Sequence, residues 1–299
     1  MDNKKTIYQD LFLFHTCKKV ITIKQELNNW LKVSSDLQDK NNSKSTILII
    51  LCLLSFILFL LVVVQNYSMK VILLVILSVF GLSTFVGFIF TKFKAIKYNK
   101  IFKNQYRTEL SQKLIDLLSR DIDEQSIIEF KLSYKYDKDK INKLYTLKHP
   151  HKSGWKIDHY RHEWLSFRGK FIDKNNFYLT IAKLSKTAYG TKRSSSGKIK
   201  NKSKDKDLGL ELSLICKYSQ KRYGAIKLLK DDFISALKIP SECKTRKIRL
   251  TDKAIIWVVR ISPQFSNKVD SIYQAIMMMF LSLYQVLNLA KKLTKSSKI

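Results

Sequence analysis

Residues 208–218 read LGLELSLICKY, and apolar side chains recur at every second position of this stretch. On a strand these apolar residues share one face: Leu208, Leu210, Leu212, Leu214, Cys216 and Tyr218. Because the intervening residues are mostly small or polar, one face of the strand is expected to be buried and the other wet. This pattern is typical of an antiparallel sheet.

Further strands with turn residues between them lie on both sides of this stretch. Residues 127–134 read as a strand, 164–172 and 177–184 flank a turn at 173–176, and 248–250 and 254–261 flank a turn at 251–253. Residues 225–237 predict a helix that ends before Pro240. We therefore expect residues 121–299 to form a cytoplasmic α+β domain, in which helices cover a mostly antiparallel sheet.

An uncharged stretch, residues 271–290, lies near the end of the chain between Asp270 and Lys291. Its polar residues recur at near-helical steps: Ser271, Gln274, Ser282, Gln285 and Asn288. A helix that packs on the sheet can turn this polar stripe to water, so we favour that interpretation. An oligomer interface and a membrane span are the alternatives.

Two uncharged runs stand back to back nearer the N-terminus, Ser45–Met69 and Val71–Thr91, with Lys70 between them. Each exceeds the ~20 residues that cross a bilayer. The sequence therefore predicts a transmembrane helical hairpin over 45–91, with spans at about 46–64 and 71–90. Lysines flank the pair on its outer sides, so the positive-inside rule places both termini in the cytoplasm of a two-pass membrane protein.

Amphipathic helices are expected on both sides of the hairpin. Residues 1–44 predict an N-terminal cytoplasmic helix, and 92–120 predict a basic helical stalk continuous with the second span. The basic residues of the stalk are expected to face lipid headgroups: Lys92, Lys94, Lys97, Lys100, Lys103 and Arg107. The small residues of the second span also permit close helix packing or self-association.

The formal net charge of +31 predicts an anionic partner, such as lipid headgroups, nucleic acid or an acidic protein. The positive charge is most concentrated in a basic arm, residues 187–206, which is either a two-stranded projection or a disordered loop. The candidate anion-binding residues are Lys192, Arg193, Lys198, Lys200, Lys202, Lys204 and Lys206. A solvated charged edge that prevents aggregation is the alternative. The arm contains one aromatic residue, Tyr189, which argues against base stacking.

Four of the five histidines lie between His149 and Glu163, and His159, His162 and Glu163 are the candidate catalytic residues. On a strand His159 and His162 point to opposite faces, and their spacing matches no metal-binding motif. No phosphate-binding loop or cofactor motif is present, so we expect neither a metal nor a cofactor. The patterns favour a non-enzymatic, membrane-anchored adaptor that binds an anionic partner. The alternatives are a membrane-bound hydrolase or nuclease, and an oligomerising membrane-disrupting effector.

Overall fold

The protein is an α+β protein with a large antiparallel sheet. The computed structural model describes residues 13–64, 70–102, 104–123, 125–193, 195, 197–227, 229 and 239–296. The chain divides into two compact units, of which one contains residues 1–25 and 106–299 and the other residues 26–105. The expected sheet domain therefore also includes residues from the beginning of the chain.

Eight strands form one sheet in the first unit. They are β1 (Leu13–Lys19), β2 (Ile127–Ser133), β3 (Lys143–Lys148), β4 (Lys156–Lys170), β5 (Asn176–Arg193), β6 (Ile199–Lys217), β7 (Cys243–Leu250) and β8 (Ala254–Ile261). Their order is β1-β2-β4-β5-β6-β8-β7, and β3 pairs with β4 beside this path. Every pairing is antiparallel.

The three central strands are long enough to divide the sheet into two halves. β2 pairs with residues 165–168 of β4, whereas β3 pairs with residues 156–160 of the same strand. β8 pairs only with residues 210–217 of β6. One half therefore contains β1, β2, β7 and β8, and the other half is built from β3 and the remaining parts of β4, β5 and β6.

The helices are α1 (Val20–Val64), α2 (Lys70–Phe102), α3 (Gln105–Leu118), the short α4 (Gln220–Tyr223) and α5 (Val269–Ser296). α3 and α5 cover one face of the first half of the sheet, whereas α2 and most of α1 belong to the second unit. Phe280 of α5 meets Phe171 and Phe177 edge-on at 6.1 Å, and Leu114 of α3 is fully buried. The alternating residues of 208–218 face this core from Leu210 onward, as the sequence predicted.

The two predicted hairpins are confirmed at 173–176 and 251–253. The Asp173 carboxylate accepts the Asn175 N–H at 3.0 Å, while Lys174 takes a φ of +69° at the tip of the turn. In the other turn the Ala254 N–H donates to Thr251 Oγ1 at 3.0 Å. Side-chain oxygens of Asp and Thr close tight turns in this way because they replace a backbone acceptor.

α5 also confirms the favoured interpretation of residues 271–290. Its buried side chains follow a helical stripe on the sheet side: Ile272, Ala275, Ile276, Met279, Phe280, Leu283, Val286, Leu287 and Ala290. By length and composition it is the one helix in the described part of the chain that could cross a membrane, and half of its most apolar stretch is buried. The helix predicted over 225–237 lies largely outside the described residues, which show α4 and a 3₁₀ turn at Gly224–Lys227 before it.

The predicted N-terminal transmembrane hairpin is wrong. In the second unit α1 and α2 contact each other, since a Cβ on Gly87 would lie 3.5 Å from Leu48. However, their described apolar stretches, Asn42–Leu58 and Ser78–Phe93, are shorter than the ~20 residues that a bilayer requires. The two-pass topology and the cytoplasmic termini that depended on it are therefore not supported.

Two further expectations for the flanking segments hold only in part, since residues 20–44 are helical within α1, and 92–102 and 105–118 are helical within α2 and α3. Residues 13–19 form strand β1 rather than a helix, because they pair with β2 from Leu13 opposite Ser133 to Lys19 opposite Ile127. The stalk is not one continuous helix, because α2 ends at Phe102 and α3 begins at Gln105. Tertiary pairing overrides the weak helical periodicity of residues 13–19.

Candidate functional site

The basic arm is an ordered two-stranded ribbon rather than a loop. β5 and β6 stay paired from Ser185 opposite Asp207 to Arg193 opposite Ile199. The turn between them includes Gly197, which has a φ of +79°. The ribbon is flanked on one side by β4, which pairs with β5 as far as Tyr189. The lysines of the arm therefore have fixed positions on a sheet.

The register places the lysines of β6 on one face. Lys200 pairs with Lys192, and Lys206 pairs with Lys186, so all four of these side chains point to the same side. Lys202 and Lys204 lie between Lys200 and Lys206 on that face, at intervals of ~6.8 Å. Arg193 pairs with Ile199 and points to the other face. Lys198 lies in the turn before β6.

In the ribbon and beside it, Asp205 and Asp158 lie on the opposite face and are neutralised there. Asp158 accepts from Lys143 at 2.9 Å and from Thr146 at 2.7 Å, and Asp205 pairs with Lys138. The hydrogen bond from Lys138 lowers the pKa of Asp205. Burial alone would raise the pKa of Asp158, but the contacts with Lys143 and Thr146 outweigh it and lower that pKa. Both carboxylates are thus held ionised and paired.

The lysine-bearing face therefore concentrates positive charge. Within the described ranges, no ion pair is formed by Lys200, Lys202, Lys204 or Lys206. Cross-strand partners of these lysines on β5 are Lys192, Gly190, Ala188 and Lys186, none of which is acidic. The charge on this face is consequently not offset by neighbours in the same rows.

Aromatic rings lie on this same face, and sequence analysis of the arm did not reveal them. Tyr145 of β3 pairs with His159 of β4, and their rings stack at 4.7 Å. Trp155, in the turn before β4, lies against Gly190 of β5, where an added Cβ would be 2.6 Å from the indole Cγ. Its indole N–H donates to the Thr191 carbonyl at 3.1 Å. We call the surface formed by Tyr145, Trp155, His159, Lys186, Lys192, Lys200, Lys202, Lys204 and Lys206 the basic-aromatic face.

The three candidate catalytic residues do not converge. His159 belongs to the basic-aromatic face, whereas His162 is buried on the opposite side of the same strand, as their spacing predicted. Glu163 accepts from Tyr178 at 3.2 Å and contacts Arg161 at 3.5 Å. In the described ranges no group of three His, Cys, Asp or Glu side chains could hold a metal ion.

His162 instead belongs to a buried polar network. Its Nδ1 lies 2.7 Å from Asp137 Oδ1, and its Nε2 lies 3.2 Å from Ser133 Oγ. Arg107 donates from Nη2 to the same Asp137 oxygen at 2.9 Å and from Nη1 to the Ser133 carbonyl at 3.0 Å. The guanidinium also lies over the Trp164 ring, 5.2 Å from its centroid.

The Ser133–His162–Asp137 order resembles that of a catalytic triad, but its surroundings do not suit catalysis. Ser133 and His162 are 2% and 3% exposed, so a substrate does not reach the hydroxyl. Arg107 already binds the carboxylate that would stabilise a charged imidazole. We interpret the network as a structural link between α3, β2 and β4, because the buried Arg107, Ser133 and His162 each have a hydrogen-bond partner within it.

This network corrects the assignment of Arg107. We expected the residue to face lipid headgroups together with the lysines that precede it, but it is 1% exposed inside the first unit. It is the first buried residue of α3, and the side chains that hold it come from distant parts of the chain. Of the lysines, Lys92 is exposed and lies over Phe88, at 5.2 Å. Lys103 and the side chains of Lys94, Lys97 and Lys100 lie outside what the structure describes.

The network predicts a loss of stability in acid. Burial alone would raise the pKa of Asp137, but the hydrogen bond with His162 and the charge of Arg107 outweigh it and lower that pKa from 3.8 to about 2. A carboxylate with a lowered folded-state pKa stabilises the fold above its unfolded pKa, here by ~2 kcal/mol, and this contribution is lost as the pH falls from about 4 to about 2. We expect Asp137→Asn to flatten the decline of the unfolding free energy in this window.

Urea unfolding followed by tryptophan fluorescence at a series of acidic pH values measures this decline. Asp139→Asn, at an exposed carboxylate two residues further on, is the control and should retain the wild-type profile. An Asp137→Asn profile that is parallel to the wild type would contradict the role given to Asp137.

Comparisons with protein-family models, with curated proteins and with solved structures find no significant match to this chain. The class is therefore defined by the fold and by the surface alone. It is an α+β protein whose large antiparallel sheet extends into an ordered basic ribbon.

Proposed function

We propose that the protein binds an extended polyanion on the basic-aromatic face. The observation that carries the proposal is the separation of charge across the ribbon. Four lysines of β6 occupy one face at intervals of ~6.8 Å, while Asp158 and Asp205 are paired on the other face. A linear row of regularly spaced cations is complementary to a chain of regularly spaced anions.

The order of the ribbon strengthens this proposal. Lysines on a disordered loop would lose conformational freedom on binding, which reduces affinity. Here the backbone of the row is already held by the pairing of β5 with β6 and of β4 with β5. The cost that remains is the ordering of the lysine side chains.

Protection of a sheet edge is the alternative explanation of the same lysines. Residues 199–209 of β6 extend beyond β8, so this part of the strand is an edge. Charged side chains on an edge discourage pairing with another chain. Edge protection works with charge on either face, however, and it does not require that Asp158 and Asp205 lie on the face opposite the lysines.

No specific observation favours an enzyme. His159 and His162 lie on opposite faces, and the buried Ser133 has no access to a substrate. The proposal is accordingly of a binding protein, in which affinity and its dependence on salt are the properties to measure.

The test measures binding of the full-length protein to an oligothymidylate, to a duplex of the same length and to polyglutamate across a salt series. We expect the affinity for at least the preferred polyanion to fall steeply with salt, because phosphate contacts release counterions. Replacing Lys200, Lys202, Lys204 and Lys206 by Gln should weaken binding at least ~10-fold. It should also reduce the slope of log K against log salt by about 3 for a single strand.

The matched control replaces four exposed lysines outside the ribbon, Lys217, Lys244, Lys247 and Lys253, by Gln. Both variants lower the net charge by the same amount. Because the control lysines lie outside the basic-aromatic face, the control variant should bind like the wild type. An equal loss of affinity in the two variants, or binding that does not respond to salt, would overturn the proposal.

A further inference from the structure

We infer that the bound polyanion is a single-stranded nucleic acid, whose bases stack on Trp155 and Tyr145 while its phosphates contact the lysines of β6. This inference rests on the proposed function and specifies its ligand. It follows from the position of the two rings relative to the lysines, which the pairing of β3, β4, β5 and β6 determines.

Each ring shares a row of the sheet with a lysine of β6. Tyr145, His159, Lys186 and Lys206 are successive partners across four strands. Trp155 lies against Gly190, and Gly190 pairs with Lys202. Neighbouring strands are ~4.8 Å apart, so β4 lies about 10 Å from β6, and β3, which carries Tyr145, lies about 14 Å from it.

The two rows are also separated along the strands. Trp155, directly before β4, and His159 on β4 are four residues apart, as are Lys202 and Lys206 on β6, which corresponds to ~13 Å along a strand. The face therefore carries two ring positions and a parallel row of cations. A chain with bases along one side and phosphates along the other is complementary to this arrangement, and stacking platforms beside a cationic groove are the usual means of binding single strands.

Both rings have a fixed orientation. Trp155 is held by its hydrogen bond to Thr191 and by contact with the backbone at Gly190, a position where any side chain would displace it. Tyr145 is 51% exposed and rests on the His159 ring, with an angle of 27° between the ring planes. Lys152 lies over Trp155 at 4.3 Å and is an exposed, flexible cation that can move to a phosphate.

Other polyanions do not use these features together. A duplex hides its base faces, so it would contact the lysines and leave the rings without a role. Polyglutamate has no aromatic groups. An anionic membrane offers headgroup charge to the lysines and an interface to the rings, and it is therefore the alternative that the experiment has to separate.

The experiment compares the full-length wild type with the Trp155→Leu/Tyr145→Leu variant and with Trp155→Phe. The probes are an oligothymidylate, a duplex of the same length, and vesicles of phosphatidylcholine with phosphatidylserine. Stacking on one ring contributes about 1–3 kcal/mol per base, which is about 5- to 150-fold in affinity. We expect the Leu/Leu variant to bind the oligothymidylate at least about 25-fold more weakly, with an unchanged salt slope and unchanged affinity for the duplex.

Two further measurements distinguish stacking from a change in structure. Trp155→Phe retains an aromatic face and should keep most of the affinity that the leucine substitution removes. With Trp30 replaced by Phe in both proteins, the oligothymidylate should quench a part of the tryptophan fluorescence that is absent when Trp155 is also Phe, because Trp164 and Trp257 are buried and do not meet the ligand.

The outcomes separate this inference from the proposed function. If the lysine variant loses salt-sensitive binding but the Leu/Leu variant binds oligothymidylate like the wild type, the polyanion site stands and the stacking inference fails. If the ring substitutions weaken only vesicle binding, the ligand is a membrane and the inference is again overturned. If none of the polyanions binds in a salt-sensitive manner, the proposed function fails as well.

Discussion

Replacing Arg107 by Met is expected to lower the free energy of unfolding by about 3 kcal/mol. The guanidinium is 1% exposed and makes hydrogen bonds to Asp137, to the Ser133 carbonyl and to the Tyr106 hydroxyl. Methionine fills a similar volume but leaves these acceptors without their donor. Removing one partner of a buried pair costs about 3–5 kcal/mol, and the lower value applies here because Asp137 is 31% exposed.

The expected loss is large because removing one partner of a buried ion pair costs more free energy than the intact pair contributes to stability. Asp137 would remain charged beside His162 alone, in a site that excludes most of the water. Arg107→Lys should recover little of the loss, since one ammonium does not reproduce the planar fork that reaches both Asp137 and the Ser133 carbonyl. Urea unfolding at neutral pH measures all of these changes.

Arg120→Met, at an exposed arginine just beyond the end of α3, is the matched control and should change the unfolding free energy by less than about 0.5 kcal/mol. The double substitution Arg107→Met/Asp137→Leu should be more stable than Arg107→Met alone, because no unpaired charge is left. An Arg107→Met protein as stable as the Arg120→Met protein would contradict the structural role of the network.

Replacing Gly209 by Ala is the second substitution for which we expect a large loss, about 4 kcal/mol. Gly209 has a φ of +92°, and an added Cβ would lie 2.0 Å from the Ile261 carbonyl oxygen. A non-glycine residue in an unfavourable backbone region costs about 1–3 kcal/mol. Overpacking adds a similar amount, because the obstacle is backbone of the paired strand β8 and does not rotate away.

Gly209 lies where the pairing of β5 and β6 shifts by one residue. Leu184 pairs with Gly209 but Ser185 pairs with Asp207, so Leu208 is the extra residue of a β-bulge. The Asp207 carboxylate accepts the Gly209 N–H at 2.7 Å and the buried Lys183 ammonium at 2.5 Å. The bulge separates the helix-covered half of the sheet from the ribbon, so a change here is expected to disturb both.

Gly154→Ala isolates the steric part of this effect. Gly154 has a φ of +74° but no atom within 4 Å of an added Cβ, so its substitution should cost only about 1 kcal/mol. Thermal or urea unfolding of the two variants gives the difference directly. Equal losses at Gly209 and Gly154 would mean that backbone conformation alone, and not contact with Ile261, makes glycine necessary at position 209.

The binding surface could be predicted from the sequence only in part. The alternation of Lys200, Lys202, Lys204 and Lys206 was visible, and an ordered arm was one of two interpretations. The rings were not found, because Tyr145 and Trp155 precede the arm in the chain. Trp155 and Thr191 are 36 positions apart, and the pairing of β4 with β5 brings them together.

Arg107 is a second residue whose position could not be predicted from the sequence, because it is buried although its neighbours in the chain suggested an exposed surface. It follows a row of lysines in sequence, so charge patterning assigned it to the same surface. Its burial results from Ser133, Asp137 and Trp164, which lie on other elements. The prediction of the N-terminal hairpin failed for a different reason, since neither of its described apolar stretches is long enough to cross a bilayer.

The sequence by itself determined the α+β class, the strand at 208–218, the turns at 173–176 and 251–253 and the amphipathic helix Val269–Ser296. These features follow from local periodicity and turn chemistry, which depend on neighbours within a few residues. Only the tertiary structure decided which face of the ribbon carries the rings, that β1 joins the sheet and that Arg107 is buried. Strand register and cross-strand neighbours depend on pairings between distant segments, and no local pattern specifies them.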